Sequence, residues 1–477
     1  MSSDDRLINW TGAIFINQYI VVKQLGYGSY ASVWLSYDAI NKKYVAIKIN
    51  NKLDYTVAKK ESENYLFIKK LNNKYLMDII DSFDYVEDDV TIETRSTISE
   101  DTGDSDTDNS ENDKHHCIVL ELMACSIYDV LKTSDFKNGI DFKISLKIIY
   151  QILQGLEILH KTNIIHGDIK PENILLSGKS IQHEKITNKF NFDKIYEKYN
   201  STKSNKSNKS TNAKKKNKNK KQIKNNNDNL EKILNDISIE IKNKMTGGNS
   251  RDDESEDSVE STMSYFSEDF KKINLIGDID IDSDISSLIE SKIREVHIDS
   301  EKMANIEIKI TDFGESLLPT QRKKREVQTC YYKSPEILLR LDYDISSDMW
   351  ALGCMFYEML TGKILFDADD YDGNNERHHL YLIIQKIGMI PKTLINNSPQ
   401  KDIHFTKNNY MLKGYDKINF NLIYEDINEI EKIYNLNESD KTNLTDFFIN
   451  IFQFDKKRRL TSCDALQSQL FRYCKYE

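Results

Sequence analysis

The chain has 477 residues, 76 Asp and Glu against 66 Lys and Arg, a formal charge of −10, and 39% hydrophobic residues. That length would hold two or three average domains, and the charge argues against general nucleic-acid binding. No run of 18 or more apolar residues exists, so no membrane span is expected. The polar, acidic stretch Met1 to Trp10 lacks the apolar core of a signal peptide. Six cysteines without a Cys-x-x-Cys pair read as reduced thiols, and a cytoplasmic or nuclear protein is expected. Cys330 is the best candidate for an exposed thiol, with a small filler the favoured reading.

In chain order, Val21 to Val33 reads as strand–turn–strand, with β-branched residues flanking Gly26 and Gly28. Glycine there lets backbone N–H groups approach a phosphate and permits positive φ. Val45-Ala46-Ile47-Lys48 alternates like a strand. Residues 57–72 have a helical pattern, with Tyr65, Leu66, Ile68 and Leu71 apolar. Residues 86–114 are polar, and Glu100 to Asp113 holds seven acids and no base, so a disordered loop is expected between two strands.

His166-Gly167-Asp168-Ile169-Lys170-Pro171-Glu172-Asn173 follows. It sets a carboxylate, an ammonium and a carboxamide at Asp-x-Lys-x-x-x-Asn spacing. Phosphoryl transfer to a hydroxyl needs those groups together: a proton acceptor, a charge to offset the moving phosphate, and an oxygen for a metal ion. Farther on, Asn200 to Asn227 carries ten Lys and no acid, and Asp252 to Asp269 eight acids and no base. Such segments cannot bury enough apolar surface to order themselves. Between them, Leu230, Ile233, Leu234, Ile237 and Ile241 repeat at helical spacing, a candidate amphipathic helix. The Lys214–Lys221 tract contains no aromatic residue on which bases could stack. The strand-like Ile308-Lys309-Ile310 then leads into Asp312-Phe313-Gly314. Ser334-Pro335-Glu336, Asp348-Met349-Trp350-Ala351-Leu352-Gly353 and Arg459 follow.

These elements, in this order, resemble the eukaryotic serine/threonine protein kinases from about Tyr19 to Phe471. The resemblance implies an α+β, bilobal fold, with a small β-rich N-lobe holding one main helix and a larger, mostly helical C-lobe. It implies ATP and Mg²⁺, with the nucleotide between the lobes. Leu25, Gly26, Tyr27, Gly28, Val33 and Ala46 would surround the nucleotide, and Lys48 would hold its α- and β-phosphates. A helix-borne glutamate should orient that lysine. Glu63 is preferred, because Leu66 and Phe67 follow it at i+3 and i+4, with Glu61 the alternative. Adenine would meet the hinge Glu121 to Met123, with Leu120 guarding the back pocket. Asp168 and Lys170 would carry the chemistry, braced by Thr329, while Asn173 and Asp312 hold the metal. An internal column of Ile79, Phe67, Phe313 and His166 is expected, which makes His166 a packing residue. Asp348 would brace the catalytic loop, and Arg459 would pair with Glu336.

Asn173 and Asp312 stand much farther apart than in typical members, so a long insert leaves near Ser177 and returns near Asn305. The expected division is a tail 1–18, N-lobe 19–121, C-lobe 122–177, spacer 178–305 and C-lobe 306–477. A kinase split here resembles the SR protein kinases, whose substrates are Arg/Ser-rich proteins. Gly167 in place of an arginine, the Val327 to Ser334 segment, and His379 to Pro391 agree. Activity without activation-loop phosphorylation is expected, since Gly167 cannot bind a phosphate at Ser316, Thr320 or Thr329. The family's acidic docking positions fall near His378 and Gln385. Glu376 and Asp367 to Asp372 are the nearby carboxylates, and Glu172 is a candidate partner for a substrate arginine. The expected partners are ATP and basic or Arg/Ser-rich proteins, with neither membrane nor nucleic acid, for a monomer. The competing reading is a catalytically weak pseudokinase scaffold acting through its charged inserts.

Overall fold

The structure, a computed structural model, describes residues 8–28, 30–86, 114–132, 136, 138–178, 192, 193, 196, 197, 306–319, 321, 327–368, 375–407, 410–415 and 417–475. The acidic run 100–113, the lysine tract, the amphipathic 229–245 segment and the second acidic run lie outside them. The chain divides into two compact units. The first is Met1–Ser62, Ile79–Leu122 and Lys179–Ile281; the second is Glu63–Asp78, Met123–Gly178 and Asp282–Glu477.

The first unit is built on an antiparallel sheet of six strands: β1 (Ile14–Phe15), β2 (Tyr19–Tyr27), β3 (Ala31–Asp38), β4 (Lys43–Asn50), β5 (Ile79–Val86) and β6 (Lys114–Glu121), in the order β1-β2-β3-β4-β6-β5. Alternation along the strands gives it two apolar faces. Tyr19, Val21, Val45, Ile47 and Ile49 pack on one face with Trp34, Phe83 and Val119. Ile20, Val22, Leu35, Tyr37 and Ala46 pack on the other.

Two expected boundaries move. The tail does not run to residue 18, because Trp10 and Phe15 are buried in the first face and β1 pairs with β2. The T-shaped contacts of Trp10 with Phe15 and Tyr85, both at 5.5 Å, show why: two large aromatics so close to a sheet edge are worth more buried than solvated. The spacer also does not simply leave the fold at 178. Phe192 is 2% exposed and stacks on Tyr37 at 5.2 Å in the second face. Tyr37 donates to Asp193 at 2.9 Å, and Tyr196 donates to the Asn17 carbonyl at 2.6 Å. Burial and the Asp193 carboxylate push the Tyr37 phenol up to about 12.

Helix α1 (Tyr55–Lys69) begins in the first unit and ends in the second. The rest of the second unit is mostly helical: α2 (Ile127–Lys132), α3 (Phe142–Lys161), α4 (Pro335–Leu338), α5 (Ser346–Thr361), α6 (Asn375–Ile387), α7 (Lys392–Asn397), α8 (Lys401–His404), α9 (Ile423–Tyr434), α10 (Glu438–Ile451) and α11 (Ser462–Gln467). Asp141 caps α3 by accepting from the Lys143 and Ile144 amides. Its apolar stripe, Ile148, Ile149, Ile152, Leu156 and Leu159, is buried. Helix α5 is buried on nearly every side, and Gly353 lets it in: a Cβ there would lie 2.9 Å from Ile451 and Phe452. Arg459 closes this region. It makes a bidentate pair with Glu336 at 2.6 and 2.9 Å and stacks over Trp350.

A small sheet, β7 (Cys125–Ser126), β8 (Ile174–Leu176) and β9 (Ile308–Ile310), joins the two ends of the insert. Ile174 pairs with Ile310 and Leu176 with Ile308, and the Ser177 amide donates to the Glu307 carbonyl at 2.8 Å. The insert thus leaves and returns on adjacent strands. Of the cysteines, Cys463 is exposed and Cys330 only partly so. Among the described residues, no helix is long and apolar enough to cross a membrane.

Candidate active site

In the first unit, β2 and β3 form the glycine turn, closed by the Gly28 amide donating to the Ala31 carbonyl at 2.8 Å. Neither Gly26 nor Gly28 has positive φ, so conformational freedom is not what these positions need. The space above them is open. A Cβ on Gly26 would meet nothing within 4 Å, and one on Gly28 only the Ala31 carbonyl at 3.9 Å. No protein atom requires glycine there, whereas a phosphate drawn against the backbone amides would. Leu25 is 37% exposed at the same turn, beside the half-buried Tyr27. Val33 lies opposite both Gly26 and Lys48, and Ala46 is opposite Leu120. Leu120 and Met123 are buried, while Glu121 ends β6 exposed.

Lys48 is paired with Glu61, not Glu63. Its ammonium donates to both carboxylate oxygens, at 2.8 and 2.9 Å. Glu63 is exposed. Two residues at 100° each place positions 61 and 63 on nearly opposite helix faces. The buried face of α1 is Ala58, Glu61, Ser62, Tyr65 and Ile68, spaced i, i+3, i+4. Phe67, at i+4 from Glu63, is 39% exposed.

The second unit gathers the catalytic loop. Asp348, on α5 and fully buried, accepts from the His166 and Gly167 amides at 2.8 and 2.9 Å and contacts His160 at 3.1 Å. A single buried carboxylate thus fixes the loop backbone. Asp168 is held from three sides. Thr329 donates to it through its amide at 3.0 Å and its hydroxyl at 2.7 Å; Asn173 donates its amide at 3.1 Å; and the Lys170 ammonium lies 2.7 Å away. Lys170 also donates to the Thr329 hydroxyl at 2.9 Å. Burial opposes the lysine's charge, but the carboxylates of Asp168, Glu172 and Asp312 together outweigh it and hold the ammonium above its ordinary pKa.

Backbone pairing brings the distant Asp312 to this group. The Thr311 amide donates to the Asn173 carbonyl at 3.0 Å, extending the β8–β9 register by one residue. Asp312 itself adopts φ +64°, an uncommon conformation for a non-glycine residue. With the Asn173 NH₂ committed to Asp168, its carbonyl oxygen is the atom left to face a cation. A carboxylate and an amide oxygen make a hard donor set suited to Mg²⁺, which takes one or two carboxylates and completes its shell with phosphates and water. No group of three or more His, Cys, Asp or Glu that could hold a metal ion occurs among the described residues.

The packing column differs from expectation at one end. His166 is fully buried and meets Phe313 at 5.3 Å, but the next ring is Tyr65 at 5.0 Å rather than Phe67. Ile79 is a sheet residue opposite Leu120. The His166 Nδ1 accepts from the Asp168 amide at 3.2 Å, and Nε2 faces the Thr311 carbonyl at 3.1 Å. Both ring nitrogens therefore serve the loop backbone.

Gly167 has φ +83°, and a Cβ there would lie 2.9 Å from the Glu315 carbonyl. The activation segment crosses too closely for any side chain. Ser316 is buried, donating to the His166 carbonyl at 2.9 Å. Thr320 lies outside the described residues. Among the docking carboxylates, Glu376 is taken by Arg340 at 2.7 Å. His378 contacts the Tyr415 hydroxyl at 2.8 Å, and Gln385 donates to the Asn419 carbonyl at 2.9 Å. Asp367 is exposed, and Asp369 to Asp372 lie outside the described residues.

Glu172 lies within electrostatic reach of a second, buried acid. Glu358, on α5, accepts from Tyr332 at 2.6 Å. Burial pushes its carboxyl up to about 7; the Tyr332 hydroxyl opposes this and the charge of Glu172 adds to it. Glu172 was legible from its motif. Glu358 was not, because nothing at position 358 signals that the fold returns to the loop.

A family model described as a protein kinase domain matches residues 19–213 and 292–471, leaving a gap within the insert. The chain is 27% identical to a protein of Acanthamoeba polyphaga mimivirus described as a serine/threonine-protein kinase, over 95% of this chain and 84% of that one. It is 25% identical to the serine/threonine-protein kinase SRPK of Physarum polycephalum, over 96% and 86%. It is 24% identical to the protein kinase dsk1 of Schizosaccharomyces pombe, over 93% and 78%.

Proposed function

The chain belongs to the protein kinase family, on its serine/threonine side, and from that premise we propose the roles of its residues and the substrate they suit. Asp168 orients the serine or threonine hydroxyl and accepts its proton as the oxygen attacks the γ-phosphorus of ATP and the bond to the β,γ-bridging oxygen breaks, releasing ADP. Lys170, 2.7 Å from that carboxylate, offsets negative charge on the phosphoryl group in transit. Thr329 keeps both side chains in place. Lys48, oriented by Glu61, holds the α- and β-phosphates, and the amides around Gly26 and Gly28 accept the phosphate chain. Asn173 and Asp312 hold Mg²⁺, which when bound supplies charge neutralisation at the phosphates. Alignment and electrostatics together account for roughly 10 kcal/mol of the barrier lowering. The observation that carries this reading is the Asp168–Lys170–Thr329 triangle, a proton acceptor and a cation fixed on one hydroxyl.

The substrate is a basic, Arg/Ser-rich protein. The support is the buried Glu358, whose carboxyl the charge of the exposed Glu172 helps push up, together with the SR-type features of the sequence. A buried carboxylate pushed up to about 7, with the charge of a second acid adding to the burial, is a poor arrangement until a cation arrives. A guanidinium also matches a carboxylate in shape. The enzyme works without activation-loop phosphorylation: Gly167 has no room for a phosphate-binding side chain, while Ser316 and Thr329 are held in internal hydrogen bonds. Phosphate incorporation from ATP into an Arg-Ser repeat peptide, against the same peptide with every Arg replaced by Gln, tests the substrate class. The Arg peptide should have the higher kcat/KM by tenfold or more. Equal values would refute a basic preference.

A further inference from the structure

Helix α1 touches the Asp312-Phe313-Gly314 segment through polar atoms as well as by packing. The Tyr65 hydroxyl accepts from the Asp312 amide at 3.0 Å and lies 2.9 Å from the Thr311 hydroxyl. One hydroxyl can accept the first bond and donate the second, so the two are compatible. Next to it, the Asn64 NH₂ donates to the Phe313 carbonyl at 2.8 Å and to the Ser316 carbonyl at 3.3 Å. Both side chains are essentially inaccessible, at 1% and 0% exposure.

These contacts are costly to keep. The Asn64 Oδ1 is buried without a hydrogen-bond partner, a defect that an apolar residue would avoid. The ring of Tyr65 already packs edge-on against Phe313, so phenylalanine would supply the packing alone. What the polar atoms add is a grip on Thr311, Asp312, Phe313 and Ser316, of which Asp312 sits at φ +64°. A residue in that region stays there only where its surroundings over-determine it.

We propose that Tyr65 and Asn64 are positioning residues that hold the Asp312 backbone in the conformation from which its carboxylate meets Mg²⁺. The proposal rests on Asp312 being a metal ligand, and the two ideas fail differently. In the full-length protein, Tyr65→Phe should lower kcat about three- to tenfold, the worth of one net hydrogen bond. It should raise the Mg²⁺ concentration giving half-maximal rate by a similar factor, with the peptide KM and the melting temperature nearly unchanged. In the nucleotide-free protein, hydrogen exchange at the Asp312 amide should accelerate in Tyr65→Phe, because its acceptor is gone. Asn64→Leu should repeat the Mg²⁺ shift without loss of stability, and it serves as the second variant if Tyr65→Phe folds poorly. An unchanged Mg²⁺ midpoint with unchanged Asp312 exchange would overturn the proposal. Full activity in Asp312→Asn would instead remove the metal-ligand reading itself, whatever the exchange data showed.

Discussion

At the scale of single residues, the Lys48–Glu61 pair and the buried Glu358 make opposite demands on the protein. Lys48 and Glu61 satisfy each other, so breaking the pair leaves an uncompensated charge. Glu61→Gln should reduce kcat/KM on the order of 10²-fold, a loss typical of removing one preorganised charged contact. Glu63→Gln, at the surface, should stay within about twofold, inside the usual range for exposed sites. Equal losses in the two variants would contradict the pairing. Glu358 is a burden at neutral pH. Its folded pKa, about 7, lies above the ordinary carboxyl value, so the folded state holds its proton more tightly than the unfolded chain. The stability this confers is complete below the ordinary value of 4.5 and is lost as pH rises through about 7. Glu358→Gln should therefore leave the melting temperature near wild type at about pH 5 and raise it at about pH 8. It should also raise the KM for an arginine-bearing peptide. A pH-independent difference in melting temperature would contradict the burial argument. A stabilising change that damages substrate binding is what a functional carboxylate produces.

Among the elements, the catalytic loop and the activation segment are bound together more tightly than the motif spacing suggests. Gly167 is the point of closest approach, with a positive φ and the Glu315 carbonyl overhead. Gly167→Ala should cost about 1–3 kcal/mol of stability and a larger share of activity; thermal unfolding and kcat measured together check it, and a neutral alanine variant would contradict the clash. Much of this was legible in advance. Asp168, Lys170, Asn173 and Asp312 announce themselves because their chemistry demands fixed residue types at fixed intervals, and the β-branched strands announce the sheet. The inward face of α1 was misread because Leu66 and Phe67 are apolar, yet hydrophobicity alone does not say which side of a helix meets the core. Glu61, Tyr65 and Asn64 are polar or amphipathic residues in buried positions, and only tertiary partners explain them. Of the two reasons for glycine at positions 26 and 28, positive φ is absent from the backbone, while the open approach to the amides is present.

For the molecule as a whole, the insert is the distinguishing feature, and its start is anchored. Phe192 fills the second face of the six-stranded sheet beside Tyr37 and Tyr44, and Asp193 and Tyr196 add polar ties. Phe192→Ala should destabilise the first unit by about 3 kcal/mol, the cost of emptying a buried aromatic site, and should speed proteolysis near residue 192. An unchanged melting temperature and cleavage pattern would show that the docking contributes nothing. Composition could not reveal this anchor, since one aromatic at the start of a polar segment looks like any other surface residue. Arg459, by contrast, was expected to pair with Glu336, and the two meet as a buried bidentate pair.

The most direct test of the account is phosphoryl transfer by Asp168→Ala, measured with its affinity for ATP. Transfer to a serine peptide should fall by at least about 10²–10⁴-fold, the usual contribution of a positioned base, while the Kd for ATP stays within a few-fold of wild type. Substantial turnover in the variant, or loss of ATP binding in parallel with activity, would contradict the assignment of Asp168.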